Sequence, residues 1–82
     1  MSRVMCRQFN DGVITGDPIQ ILPVDEEEQP EDILYRKLNS HKLNGWQVES
    51  ENTGEGFIAR KEYTGLPETQ VQKVERHFYI EE

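Results

Sequence analysis

Short apolar-rich stretches open the chain, and their spacing is that of strands. Arg3 to Phe9 and Val13 to Val24 read as two strands separated by Asn10-Asp11-Gly12, where Asp-Gly favours a tight hairpin turn because both residues tolerate positive φ. Gly16-Asp17-Pro18 interrupts the second stretch, since proline donates no ladder hydrogen bond and is tolerated at an edge or a bulge. Beyond the interruption, Ile19 and Ile21 alternate with Gln20 as in a half-buried strand. The period then changes. Pro30 to Leu43 reads as a helix with Ile33, Leu34 and Leu38 as its apolar stripe, Tyr35 or Leu43 at the margins, and Arg36, Lys37 and Asn39 facing water. Pro30 suits the first turn, Glu31 and Asp32 complement the positive end of the helix dipole, and Asn44-Gly45 supplies the stop.

Strand periodicity returns after Gly45. Trp46 to Glu49 alternates, and so does Phe57 to Tyr63 with Phe57, Ala59 and Tyr63 on one face; the turn-rich Asn52-Thr53-Gly54-Glu55-Gly56 between them makes a second hairpin. Thr64-Gly65-Leu66-Pro67 breaks the sheet, and residues 64–68 form a linker to the last element. The tail fits two templates. Val71, Val74 and Phe78 have helical spacing among good helix formers, whereas Val74, Arg76, Phe78 and Ile80 would share a strand face and His77-Phe78-Tyr79-Ile80 has strand composition; the balance tips towards a helix with a strand-like end. The expected architecture is α+β: a small antiparallel sheet, from an N-terminal hairpin and a second hairpin, packed on one helix, with a C-terminal helix or strand.

Composition narrows the classes of function. With 82 residues the chain has room for one core and a single domain, 1–82. Its hydrophobic fraction of 34% is low for a chain that builds a core alone, so sharing apolar surface with a second copy is an expectation. A net charge of -7 disfavours nucleic acid over a broad face and anionic membranes. Much of that charge lies in an acidic loop, residues 25–32, where Asp25, Glu26, Glu27 and Glu28 are candidates for contact with a basic protein partner. Cys6 is the single cysteine, so no intramolecular disulfide forms; it reads as a small buried hydrophobe. No apolar run approaches a membrane span and no signal-peptide stretch opens the chain, which makes the cytoplasm the default compartment.

Candidate chemistry is sparse. Ser40 and His41 are adjacent on the helix and therefore point about 100° apart, so they do not form a nucleophile and base pair. Cys6, His41 and His77 lack metal-ligand spacing, and the acidic run lacks the alternating ligands and central glycine of a calcium loop. Gly54-Glu55-Gly56 is a short GxG without the lysine and hydroxyl of a phosphate loop, and reads as a hairpin turn. No enzyme, cofactor or metal is expected. What remains is a set of binding groups: Arg36, Lys37, Arg60, Lys61 and Arg76 as cations for a small anionic ligand, and Trp46, Tyr35, Tyr63 and Tyr79 as rings to stack on it, of which Tyr35, Arg36, Trp46, Arg60, Lys61 and Arg76 are the six candidate ligand-binding residues. The structural alternative makes Trp46 the core anchor between helix and sheet, and the basic residues partners of nearby glutamates.

Leu43-Asn44-Gly45-Trp46-Gln47-Val48 and Gly56-Phe57-Ile58-Ala59-Arg60-Lys61 together carry a resemblance over about Glu31 to Tyr63. This stretch resembles the small bacterial and phage proteins of domain of unknown function four-one-seven-seven, in which a helix ends in Gly-Trp and a hairpin returns as aromatic-hydrophobic-x-basic. The resemblance implies a compact β-α-β-β unit and no enzymatic residues; the N-terminal hairpin, the acidic loop and the tail depart from it. Two functions are then expected. The first is a non-enzymatic interaction or inhibitor protein, such as a phage or mobile-element accessory acting on a host protein. The alternative is a small-molecule binding module, such as an oligomeric sponge for a nucleotide immune signal. An enzyme ranks third, and a DNA mimic fourth because the acids are concentrated in one loop.

Overall fold

Local rules place most of the elements where the pattern expects them. The computed structural model describes residues 2–50, 56–65, 67 and 70–82. Strands β1 (Arg3–Asn10), β2 (Val13–Ile14) and β3 (Ile19–Ile21) precede helix α1 (Pro30–Leu43), and β4 (Gln47–Ser50), β5 (Gly56–Glu62) and β6 (Lys73–Glu81) follow it. Asp11 and Gly12 both take positive φ, 50° and 85°, closing the two-residue β1–β2 turn. β2 and β3 lie along the same edge of β1, opposite Phe9–Asn10 and Val4–Cys6. The Gly16-Asp17-Pro18 break is the bulge between them, with Gly16 at φ 67° and Thr15 held by its N–H and hydroxyl on the Gln8 carbonyl at 2.9 and 3.2 Å.

The acidic loop is a folded turn. Asp25 accepts the Glu27 and Glu28 N–H groups at 2.9 Å each, and Glu28 accepts the Val24 N–H at 3.0 Å and grips the Arg36 guanidinium in a fork of 2.9 and 3.0 Å. Asp32 accepts the Gln29 N–H at 3.1 Å across the first turn of α1, and Gly45, at φ 84°, ends the helix. Arg36, expected to face water, is thus pinned to the turn before its own helix, where it also reaches the Leu22 carbonyl at 3.3 Å.

The tail is where the structure corrects the sequence reading. Residues 73–81 are a strand throughout, and it is the central one: among the described residues the sheet order is β2-β1-β6-β5-β4, antiparallel throughout, with β3 also on β1. A helix there would have left the facing edges of β1 and β5 without partners, and that long-range demand outweighs the helix-forming residues at its start. The Asp11 carboxylate sets where the strand begins, accepting the Gln72 and Lys73 N–H groups at 3.1 and 2.8 Å. The fold is α+β, mostly strand, with one helix on one face. Of the expected linker, Thr64, Gly65 and Pro67 lie outside regular structure, while Leu66 and Glu68 fall outside the described residues, as do Asn52 to Glu55 of the second hairpin's turn and with them most of the GxG.

Val4, Cys6, Phe57, Ala59 and Phe78 from the sheet and Ile33 and Leu34 from the helix make the core, with Leu38, Trp46 and Val48 packed against it. Phe57 and Phe78 stack across β5 and β6 with centroids 4.7 Å apart. Tyr63, expected beside Phe57 and Ala59, lies past the end of β5 and is exposed, as are Tyr35 and Leu43 on the helix. The tightest approach is at Gly56, where an added Cβ would collide with the Phe78 carbonyl. Gly56→Ala is expected to lower stability by about 2 kcal/mol through this overpacking, to be measured by urea denaturation; an unchanged midpoint would show that β5 and β6 can separate at this point without penalty.

Candidate functional site

The sheet's alternation decides which side chains can meet. Arg76 pairs with Gln8 on one side and Ala59 on the other, which places its side chain on the face that α1 covers. Arg60 pairs with Glu75 and Gln47, one residue out of phase, and so lies on the opposite face. There it is held by Glu49 at 2.8 Å and Glu75 at 3.7 Å. Arg36 is closed by Glu28, and Tyr35 borders a separate shallow depression of about 170 Å³ near Leu38 and Ser50. Of the six candidate ligand-binding residues, Trp46, Lys61 and Arg76 come together, whereas Tyr35, Arg36 and Arg60 point elsewhere. The Arg76 guanidinium lies 4.7 Å from the Trp46 ring centroid, and the Lys61 ammonium 5.8 Å from the same ring. Trp46 is half-buried at the helix-to-strand junction; Phe57, at 1% exposure, fills the centre of the core that Trp46 was expected to anchor.

A cavity of about 400 Å³ opens beside Arg76. Cys6 and Gln8 of β1 and Phe78 of β6 form its floor, Lys37 and His41 come from α1, and Ile19 and Ile21 form the wall from β3. The β2–β3 bulge delivers Thr15 and Asp17 to it, so the residues that break the strand pattern become part of the lining. Lys37 and His41 stand one helical turn apart on the same side of α1.

The hydrogen bonds assign the imidazole's tautomer. His41 Nδ1 lies 2.7 Å from the Lys37 carbonyl oxygen, which can only accept, so Nδ1 carries the proton. Nε2, 3.1 Å from Arg76 Nη1, is then left to accept from the guanidinium. Burial lowers the His41 pKa below its ordinary 6.5, and the Arg76 and Lys37 charges lower it further against the pull of the Lys37 carbonyl. Burial raises the Cys6 thiol, only partly offset by the same two cations. Cys6 is a buried thiol in the cavity floor. Arg76 also donates from Nε to Gln8 Oε1 at 3.1 Å. The arginine is thus oriented by one amide and one neutral imidazole, neither of which cancels its charge.

Charge pairing separates these cations from most of the others. Arg3, Arg36, Arg60 and Lys73 each have a carboxylate within 4.0 Å. Lys37 and Arg76 have none among the described residues, in a chain with 16 acids against 9 bases. In the acidic turn, Asp25 and Glu28 are engaged internally, and Glu26 and Glu27 are exposed. Among the described residues no group of three His, Cys, Asp or Glu side chains is placed to hold a metal ion, and no helix is long and apolar enough to cross a membrane. Lys37 belongs to the cations that the sequence offers to an anion, whereas His41, Gln8, Thr15 and Asp17 are not among the candidates. The four-residue spacing of Lys37 and His41 was the available signal, but it counts only once the helix face is known.

No protein-family model, curated protein or solved structure matches the chain. What can be said of the site therefore rests on its geometry. His41 gives it a pH signature. With a folded-state pKa below the unfolded one, the unfolded chain takes up the proton first, so stability falls as pH drops through 6.5 and continues to fall until the folded-state value is reached. The limiting slope is about 1.4 kcal/mol per pH unit. The lowered carboxylates Glu28 and Glu75 act in the same direction, but only below the ordinary carboxylate value of 4.5. Urea midpoints for the wild type are expected to decline between about pH 7 and 5, and those of His41→Gln to stay level across the same interval. Parallel curves for the two proteins would show that His41 is not the group responsible.

Proposed function

We propose that this chain is a non-enzymatic binding protein for a small organic anion, held in the cavity between α1, β6 and the β2–β3 bulge. The observation that carries the reading is the pair Lys37 and Arg76: two cations on one cavity, without carboxylate partners among the described residues, with a neutral imidazole behind them. A fixed guanidinium suits the planar or tetrahedral oxygens of a carboxylate or phosphate, and the mobile ammonium of Lys37 adds a second charge. The opposite wall supplies an apolar surface, Ile19 and Ile21, and an acceptor, Asp17, that suits a hydroxyl or amine on the same molecule. About 400 Å³ falls within the range of small-molecule sites. A phosphate- or carboxylate-bearing molecule of nucleotide size has this combination of groups, in keeping with a sponge-like role.

The route through the acidic turn to a basic partner has less support. Asp25 and Glu28 shape the loop and clamp Arg36, which leaves Glu26 and Glu27 as its outward charges. The resemblance to domain of unknown function four-one-seven-seven supplies no residue to this cavity, and Arg76 and the bulge lie outside the stretch it covers.

Thermal-shift screening tests the reading with inorganic phosphate, nucleoside phosphates, cyclic dinucleotides, ADP-ribose and aromatic carboxylates. A ligand at a hundred times its dissociation constant stabilises the fold by about 2.7 kcal/mol. Lys37→Met and Arg76→Met are expected to abolish the shift, and Arg60→Met, on the far face, to keep it. A panel with no stabilising member, or equal loss in Arg60→Met, overturns the proposal.

A further inference from the structure

Among the described residues the helix covers one face of the sheet, and no further element lies on the other, whose apolar side chains are half-buried by their neighbours. Met5, Phe9, Ile58, His77 and Tyr79 alternate with the core residues and project onto that second face, where neither α1 nor a second sheet layer lies among the described residues. A sheet with one solvated face ordinarily carries polar residues there. Here the centre is apolar and aromatic: the Phe9 and His77 rings meet at 4.8 Å, and the Arg7 guanidinium lies 5.0 Å from the centre of the Tyr79 ring.

We propose that this open face is the interface of a homodimer in which two copies pack sheet against sheet. Charge favours a second copy over other occupants. By the strand registers, Arg3, Arg7, Arg60 and Lys73 lie on this face. So do Glu49, Glu62, Glu75 and Glu81, and the two sets balance within a chain of net charge -7. The acidic surplus is on the turn and elsewhere, so two identical copies meet here without its repulsion. A strongly basic partner or a nucleic acid would select a face with one sign of charge. Under two-fold symmetry each arginine at the rim can face a glutamate of the other copy.

Size points the same way. Strand spacings of about 4.8 Å and rises of about 3.3 Å per residue give about 500 Å² of flat sheet per copy, hence about 1,000 Å² for the pair. That reaches the lower limit of specific interfaces and is consistent with a reversible dimer. The cavity lies on the helix side, so dimerisation stands or falls independently of ligand binding.

Sedimentation velocity of the full chain decides the matter. Twice the chain mass is expected at about 100 μM, and a monomer at that concentration overturns the proposal. Ile58→Lys, on the open face, is expected to weaken the dimer by about ten-fold or more, while Leu43→Lys on the exposed helix end leaves it intact. Ile19→Lys tests the competing apolar edge: a dimer lost in Ile19→Lys but kept in Ile58→Lys places the interface elsewhere and refutes this one. Should Ile58→Lys fail to fold by circular dichroism, methyl spectra of the wild type take its place. On dilution the Met5 and Ile58 methyl signals should shift while those of buried Ile33 hold still, and the reverse pattern also refutes the open face.

Discussion

The fold depends on β6 being paired along both edges. It meets β1 through eight residue pairs and β5 through seven, and so joins the first strand of the chain to the hairpin that follows the helix. Buried backbone groups need partners, and with β6 in place the N–H and C=O groups facing inward from β1 and β5 find them. The same strand brings Phe78 onto Phe57 at the centre of the core and Arg76 to the helix side, two residues away. Packing and site therefore share one register.

Around Arg76 the electrostatics differ from those at the carboxylate-paired arginines. Arg3, Arg36 and Arg60 are each paired with a carboxylate, as Glu28 pairs with Arg36, where the guanidinium lowers the Glu28 pKa. At the cavity the guanidinium is oriented by Gln8, by the edge of a neutral imidazole and by the face of Trp46. These contacts hold its geometry and leave its charge available. The buried, neutral His41 can accept from Arg76 only in the tautomer that the Lys37 carbonyl selects. One turn of helix thus contributes the second cation through the side chain of Lys37 and the orientation of the first through its backbone.

The two faces of the sheet have separate characters. On the helix side the bulge between β2 and β3 keeps the edge from closing, which leaves room for a cavity lined by ions, an amide and aliphatic groups. The other side is apolar at its centre and balanced in charge along the strands.

The amino-acid sequence by itself determined what depends on neighbours along the chain. Asp11-Gly12 turned the first hairpin because both residues tolerate positive φ, Pro18 broke the second strand because it lacks an N–H, and α1 began at Pro30 and stopped before Gly45 for equally local reasons. Cys6 and the apolar stripe of Ile33 and Leu34 were legible as core from residue type and spacing. Tertiary structure alone decided the tail, where helical and strand patterns overlapped until the edges of β1 and β5 selected the strand. It decided the site as well. Arg60 and Arg76 look equivalent in the sequence, but a phase difference of one residue in adjacent strands puts them on opposite faces. Lys37 and His41 line the cavity only once α1 packs over the sheet. Turns and caps are encoded within a few residues, whereas which face a side chain occupies, and what it meets there, is settled by pairing between segments far apart in the chain.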